Sequence, residues 1–280
     1  MQSQTSYTLS EEVTISVREI GEPTSTYPTL IFLHFWGGSS LTFQSLIHQL
    51  TQSNHGVHAL APDFRGCGNS TGPSRLGSYT IPDLASDITA LIQRVQISPL
   101  GYILVGHSMG GKVAQFIASR LPDTLKLRGL FLIAPAPLGK LELDQEAKEQ
   151  QQHAYDSPES AEFVFRNILL SADTTVSSET LESLGNDAVR TSDFVKRAWP
   201  TYGMAEDYSE MYNSLKVPVK IAVGTDDRIE TLVRVRSEVY EKLSQVEEAD
   251  FIVLPGVGHL SIIEAPEPLA KELQAFMGGF

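Results

Sequence analysis

Hydrophobic and polar positions change their period several times along the chain, and each change predicts an element. Residues 7–20 alternate, with Val13, Ile15 and Val17 on one side, until Gly21, Glu22 and Pro23 break the pattern; such alternation reads as an antiparallel strand pair. Residues 29–34, TLIFLH, are instead a continuous apolar run, the composition of a strand buried on both faces of a parallel sheet. Residues 35–40 are too rich in glycine and serine to be regular. Leu41, Leu46, Ile47 and Leu50 then fall at helical spacing, residues 57–61 form another short apolar run, and residues 62–70 read as loop. A helix over 81–95 opens on Pro82 and Asp83, both favourable in a first turn.

The next stretch organises the rest. Residues 102–105 are apolar, Gly106-His107-Ser108-Met109-Gly110 makes a tight corner, and Val113, Phe116, Ile117 and Leu121 follow at helical spacing. This is strand, sharp turn and helix. In such a turn the middle residue is strained, and glycine on either side lets strand and helix approach. Ser108 therefore projects from the C-terminal end of a central strand, with the helix N-terminus and the Met109 N–H beside it. A G-x-S-x-G pattern arises by chance in many glycine-bearing turns; the strand before it and the helix after it give this one weight.

Residues 127–133 predict the following buried strand, ahead of Ala134-Pro135-Ala136-Pro137. Strands alternating with helices imply right-handed crossovers and a mostly parallel sheet. The alternation then stops: residues 138–213 hold helical stretches at 144–155, 161–170 and 180–190, but no convincing strand. Trp199, Tyr202, Met204, Tyr208, Met211 and Tyr212 give its later part the character of an apolar pocket wall, or of a surface that docks the segment on the core. Alternation resumes with a strand at 219–224, a helix at 231–243, a strand at 251–254 and a helix at 266–277. Residues 1–137 and 214–280 are thus expected to form one discontinuous core domain, with 138–213 inserted into it.

Several loops carry chemistry at matching places. His34-Phe35-Trp36-Gly37-Gly38 follows the first apolar strand, and Asp63 to Ser70 reads D-x-R-G-x-G-x-S. Gly224-Thr225-Asp226-Asp227-Arg228-Ile229 follows the strand at 219–224, and His259 stands among glycines directly after the last strand. With the elbow around Ser108, these motifs resemble the α/β-hydrolases, in particular the serine-nucleophile, esterase- and haloperoxidase-like branch with a helical cap. The resemblance covers roughly 13–138 and 217–280; the insertion matches no family pattern. It implies a doubly wound, mostly parallel eight-stranded α/β sheet with an all-helical cap. It further implies Ser108 as nucleophile, His259 as base and an orienting acid at Asp227, whose spacing from Gly224 fits the family pattern, with Asp226 as the alternative. The oxyanion donors would be the backbone N–H groups of Met109 and Trp36, although Phe35 stands where the family usually has glycine. Phe35, His107, Trp199, Tyr202 and Met204 are the expected pocket residues.

The expected reaction is hydrolysis of an ester or lactone of a small, partly apolar molecule through an acyl-enzyme, without cofactor or metal. The same triad serves C–C hydrolases, perhydrolases and hydroxynitrile lyases among similar proteins, and a non-catalytic small-molecule receptor is a third reading. Serine at position 108 argues against the aspartate-nucleophile dehalogenases and epoxide hydrolases.

Composition narrows the partners. The 280 residues carry 21 Lys and Arg against 34 Asp and Glu, a net charge of -13 with a pI near 4.9, which repels nucleic acid and anionic membranes. Cys67, the single cysteine, excludes an intrachain disulfide and reads as a small space-filler. The seven histidines include no HExxH pair. No apolar run approaches the roughly 18 residues of a membrane span. The polar start MQSQTSYTLSEEV lacks the features of a signal peptide, so a cytoplasmic monomer or homodimer is expected.

Overall fold

The structure, a computed structural model, describes residues 2–53, 56–120 and 126–280. Its frame is one eight-stranded sheet in the order β1-β2-β4-β3-β5-β6-β7-β8. The strands are β1 (Gln2–Thr8), β2 (Thr14–Ile20), β3 (Thr29–Leu33), β4 (Ala59–Pro62), β5 (Tyr102–His107), β6 (Leu127–Ile133), β7 (Val219–Gly224) and β8 (Ala249–Leu254). β2 runs antiparallel to β1 and β4; every other pairing is parallel. The parallel strands are joined by helices, α1 (Gln44–Ser53), α2 (Ile81–Ile92), α3 (Met109–Arg120) and, between β7 and β8, α8 (Leu232–Glu238), while α9 (Ser261–Glu264) and α10 (Pro266–Met277) follow β8.

The continuous apolar runs bury both faces of the strands. Ile31, Leu33, Leu104, Leu130, Leu132 and Ile221 face α2 and α3, meeting Leu84, Ile88, Val113 and Phe116. Their neighbours Leu30, Phe32, Ile103, Val105, Phe131 and Ile133 face α1 and α10, meeting Leu46, Leu50, Leu269 and Leu273. Each such side chain, fully withdrawn from water, contributes on the order of 1.5–3 kcal/mol before chain entropy is subtracted. α2 starts on a capping box, in which the Thr80 side chain accepts from Asp83 N–H and the Asp83 carboxylate accepts from Thr80 N–H.

Between β6 and β7 lie α4 (Gln145–Gln152), α5 (Pro158–Val164), a π turn at Phe165–Leu169, α6 (Ser178–Arg190) and α7 (Asp193–Thr201). The described residues of this segment contain no strand. None of the described helices is long and apolar enough to cross a membrane.

Several boundaries differ from the pattern-based expectation. β1 begins at Gln2, ahead of the alternation, because QSQTSYT pairs as an exposed polar edge strand and needs no buried face. The helix expected over 161–170 starts at Pro158 and passes into the π turn, where Leu170 N–H reaches Phe165 O at 2.9 Å. The helix expected over 231–243 stops at Glu238, Val239 caps it with its N–H on Val235 O (3.1 Å), and a 3-10 turn follows at Tyr240–Lys242. Leu121, expected on the α3 face, lies outside the described residues.

Packing in the frame leaves no room at Gly110, where an added Cβ would land on the Leu33 carbonyl. Gly110→Ala should therefore destabilise the fold by more than about 2 kcal/mol, whereas Gly77→Ala, with open space around it, should change stability by less than about 0.5 kcal/mol. Urea denaturation of both variants checks this.

Candidate active site

Ser108 sits at the corner between β5 and α3 with φ of +53°, a left-handed conformation that a residue bearing a Cβ adopts only when its surroundings hold it. Its N–H donates to Ile133 O (3.0 Å), and its carbonyl accepts from Gly111 N–H (2.8 Å), Lys112 N–H (3.2 Å) and Ala136 N–H (3.0 Å). Glycine at 106 is required because a Cβ there would meet the Gly110 carbonyl oxygen.

His259 follows β8, and Asp227 follows β7. His259 Nδ1 lies 2.9 Å from Asp227 Oδ2, with both side chains withdrawn from solvent. The other oxygen, Asp227 Oδ1, accepts from the backbone N–H groups of Ile229 (2.8 Å) and Glu230 (2.9 Å). A carboxylate can only accept, so Nδ1 carries the proton and Nε2 is the basic nitrogen. Burial opposes charging the ring, but the charge and hydrogen bond of Asp227 outweigh it and raise the His259 pKa above its ordinary 6.5. Asp226 points elsewhere: its carboxylate accepts from Ser171 Oγ (2.8 Å) and Thr225 Oγ1 (2.9 Å), bonds that hold its pKa down.

Ser108 and His259 line one cavity of about 220 Å³. Among the described residues no hydrogen bond joins the hydroxyl to the ring; in unliganded sites such contacts are often long and tighten with substrate. Phe35, Trp36, Trp199 and Met204 line the same cavity. Among the described residues, the backbone N–H groups of Trp36 and Met109 donate to no protein acceptor, which leaves a free donor on the residue after the serine and another on a residue of the same cavity wall.

Two of the expected pocket residues are not there. His107 lies behind the site, fully buried, with its ring 5.2 Å from Phe35 and 5.1 Å from His259. Its Nε2 donates to the His259 carbonyl (2.8 Å), so Nδ1 is bare and finds no partner. Burial and the neighbouring His259 push its pKa well down, so the ring is neutral and serves as a support. Tyr202 points away from the cavity, because its hydroxyl donates to Leu76 O (2.5 Å) and accepts from Tyr79 N–H (3.2 Å). Tyr208 packs on Phe116 at 4.7 Å, and the Tyr212 hydroxyl accepts from Leu138 N–H (3.0 Å). These aromatics dock the insertion on the core.

The cavity wall comes more from residues 147–169 than the sequence suggested. Ala147, Gln151, Ala154, Tyr155, Val164 and Leu169 all line it, and Tyr155 packs on the Trp36 ring at 4.7 Å. Only Tyr155 carried a signal, as an aromatic closing a Gln-rich helix. The π turn ties directly to the histidine: His259 N–H donates to Leu169 O at 2.7 Å. A Cβ on Gly258 would meet that same carbonyl, so this glycine lets the histidine loop approach the insertion rather than the serine.

A second lobe of about 230 Å³ opens from Ser108 on the other side, lined by Lys112, Arg228, Glu230 and Arg234, with Gln151, Trp199, Met204 and Ile229 shared between the lobes. Cys67 is buried outside both lobes, and burial pushes its thiol pKa up, so it is unreactive.

The chain resembles known proteins over much of this frame. It is 34% identical over 115 residues to the sn-1-specific diacylglycerol lipase ABHD11 of Mus musculus, covering 41% of this chain and 35% of that one. It is 32% identical over 120 residues to Epoxide hydrolase 2 of Siraitia grosvenorii, covering 41% of this chain and 36% of that one. The matched regions thus span about a third of the length of these two relatives. The bromoperoxidase from Bacillus anthracis superposes with a TM-score of 0.83 at 17% identity, covering 98% of this chain and 99% of that one, and so shares the fold. A model of the alpha/beta hydrolase family matches residues 30–272, and the chain therefore belongs to that family.

Proposed function

We propose that the protein is a serine hydrolase cleaving an ester or lactone of a small, partly apolar molecule, with Ser108, His259 and Asp227 as its triad. The observation that carries this reading is the buried Asp227–His259 pair opening onto the same cavity as a strained serine. His259 Nε2 takes the Ser108 proton as Oγ bonds the acyl carbon, and the free N–H groups of Trp36 and Met109 hold the oxyanion. The carbon–oxygen bond to the alcohol then breaks, and the proton passes from His259 to the departing oxygen. Water, activated by the same ring, releases the acid from the acyl-enzyme. Residues 138–213 act as the cap over this site.

Serine at 108 favours acyl transfer over the epoxide opening named for one relative, and a diacylglycerol lipase among the relatives supports ester cleavage.

Ser108→Ala should lower kcat on a p-nitrophenyl ester by about a million-fold and abolish fluorophosphonate labelling. Asp227→Asn should lower kcat about ten-thousand-fold, the loss expected when the base is held in the wrong tautomer, while Asp226→Asn, outside the triad, should stay within about threefold of the parent in the same assay. Retained activity in Asp227→Asn overturns the assignment of the acid. Only the unprotonated ring is a base, so kcat/KM should fall with decreasing pH through a midpoint above 6.5, given the raised His259 pKa. In Asp227→Asn that midpoint should move down, as read from the residual activity.

A further inference from the structure

The two lobes that meet at Ser108 differ in chemistry. His259 borders only the lobe with Phe35, Tyr155 and Leu169. The leaving oxygen must receive its proton from His259 Nε2, so the alcohol part of an ester belongs in that apolar lobe. The acyl chain is then directed into the other lobe.

That second lobe presents three cationic groups and one carboxylate. Arg234 gives Nη1 to Glu230 (2.8 Å) and Nε to Glu238 (3.1 Å), and its Nη2 makes no protein hydrogen bond among the described residues. Arg228 commits Nη1 to the Asn167 carbonyl at 2.9 Å. Lys112 is 1% exposed, yet its ammonium donates only to the neutral carbonyls of Gly139 (3.1 Å) and Glu206 (2.6 Å). The Glu206 carboxylate is engaged by Ile81 N–H at 2.8 Å. Among the described residues, neither Lys112 nor Arg228 has a carboxylate within ion-pair distance. A buried cation without a counter-ion is unfavourable: burial lowers the Lys112 pKa to about 8 and raises that of Glu230 to about 8. Whichever state Glu230 adopts, cations outnumber anions in the lobe.

We infer that this lobe is an anion subsite, and that the preferred substrate is an ester whose acyl chain ends in a carboxylate, a hemiester of a short dicarboxylic acid with an apolar alcohol. The substrate carboxylate supplies the missing counter-ion to Lys112 and meets the unused donors of Arg228 and Arg234. This rests on the serine hydrolase reading. The chemistry of hydrolysis is unchanged; the acid released after water attacks the acyl-enzyme is a dicarboxylate.

The test compares p-nitrophenyl hemiglutarate with p-nitrophenyl 4-carbamoylbutanoate, which has nearly the same size and no charge. The hemiglutarate should have the larger kcat/KM by about tenfold or more, the factor one hydrogen bond to a charged group supplies. Placing the charge on the alcohol instead, in the pentanoate ester of 4-hydroxybenzoate against that of 4-hydroxybenzamide, should give no preference. Arg228→Gln and Lys112→Met should each pull the first ratio toward unity; Arg228 is exposed, so its variant carries the test if Lys112→Met does not fold. Ser108-dependent turnover of both acyl esters with a ratio at or below unity overturns the anion subsite and leaves the hydrolase reading standing. Failure to turn over either ester, with no fluorophosphonate labelling of Ser108, overturns both.

Discussion

The site depends on a close approach of two backbones. β5 can meet α3 this closely only because residue 106 has no side chain, and the contact of Gly110 with the Leu33 carbonyl brings the end of β3 to the same point. Ser108 is held in its left-handed conformation by bonds to Ile133, Gly111, Lys112 and Ala136, so its strain is distributed over β6, α3 and the loop that follows β6. The loop that leaves β3 carries Trp36, which lines the same cavity as Ser108. One steric constraint thereby holds the serine corner against the strand end from which that loop departs.

The second determinant is electrostatic. A buried imidazole alone would be held neutral by desolvation, as His107 is. His259, equally buried, moves in the opposite direction because Asp227 lies against it. Two histidines with rings 5.1 Å apart thus divide the work: one can accept a proton and the other stays neutral and supports it. Losing one member of a buried charged pair typically destabilises by about 3–5 kcal/mol, so the pair also ties the ends of β7 and β8 together.

Much of the core was legible in the sequence because its signals are local. The glycine corner, the apolar runs of β3, β5 and β6, and the placement of Asp227 and His259 after β7 and β8 all follow from short-range chemistry. The pocket was read less well, for physical reasons. The alternation of side chains at a strand end decides whether His107 points into a cavity or behind it, and that depends on where β5 ends. Tyr202 was indistinguishable from Trp199 by type; only the Leu76 carbonyl and the Tyr79 N–H draw it away. Gln151 and Lys112 carry no local signal of a place in the cavity wall. Lys112 is buried because its ammonium donates to the distant carbonyls of Gly139 and Glu206, which no local pattern encodes.

The hydrogen bond from His259 to the Leu169 carbonyl has a mechanical consequence. The Leu169 carbonyl accepts from Leu260 N–H (3.3 Å) as well as from His259 N–H (2.7 Å), and the Glu264 carboxylate accepts from Ser171 N–H and Thr174 Oγ1 just beyond it. The backbone on which the imidazole rides is therefore laced to one wall of the cavity, so a substitution that shifts residues 165–174 also shifts the ring.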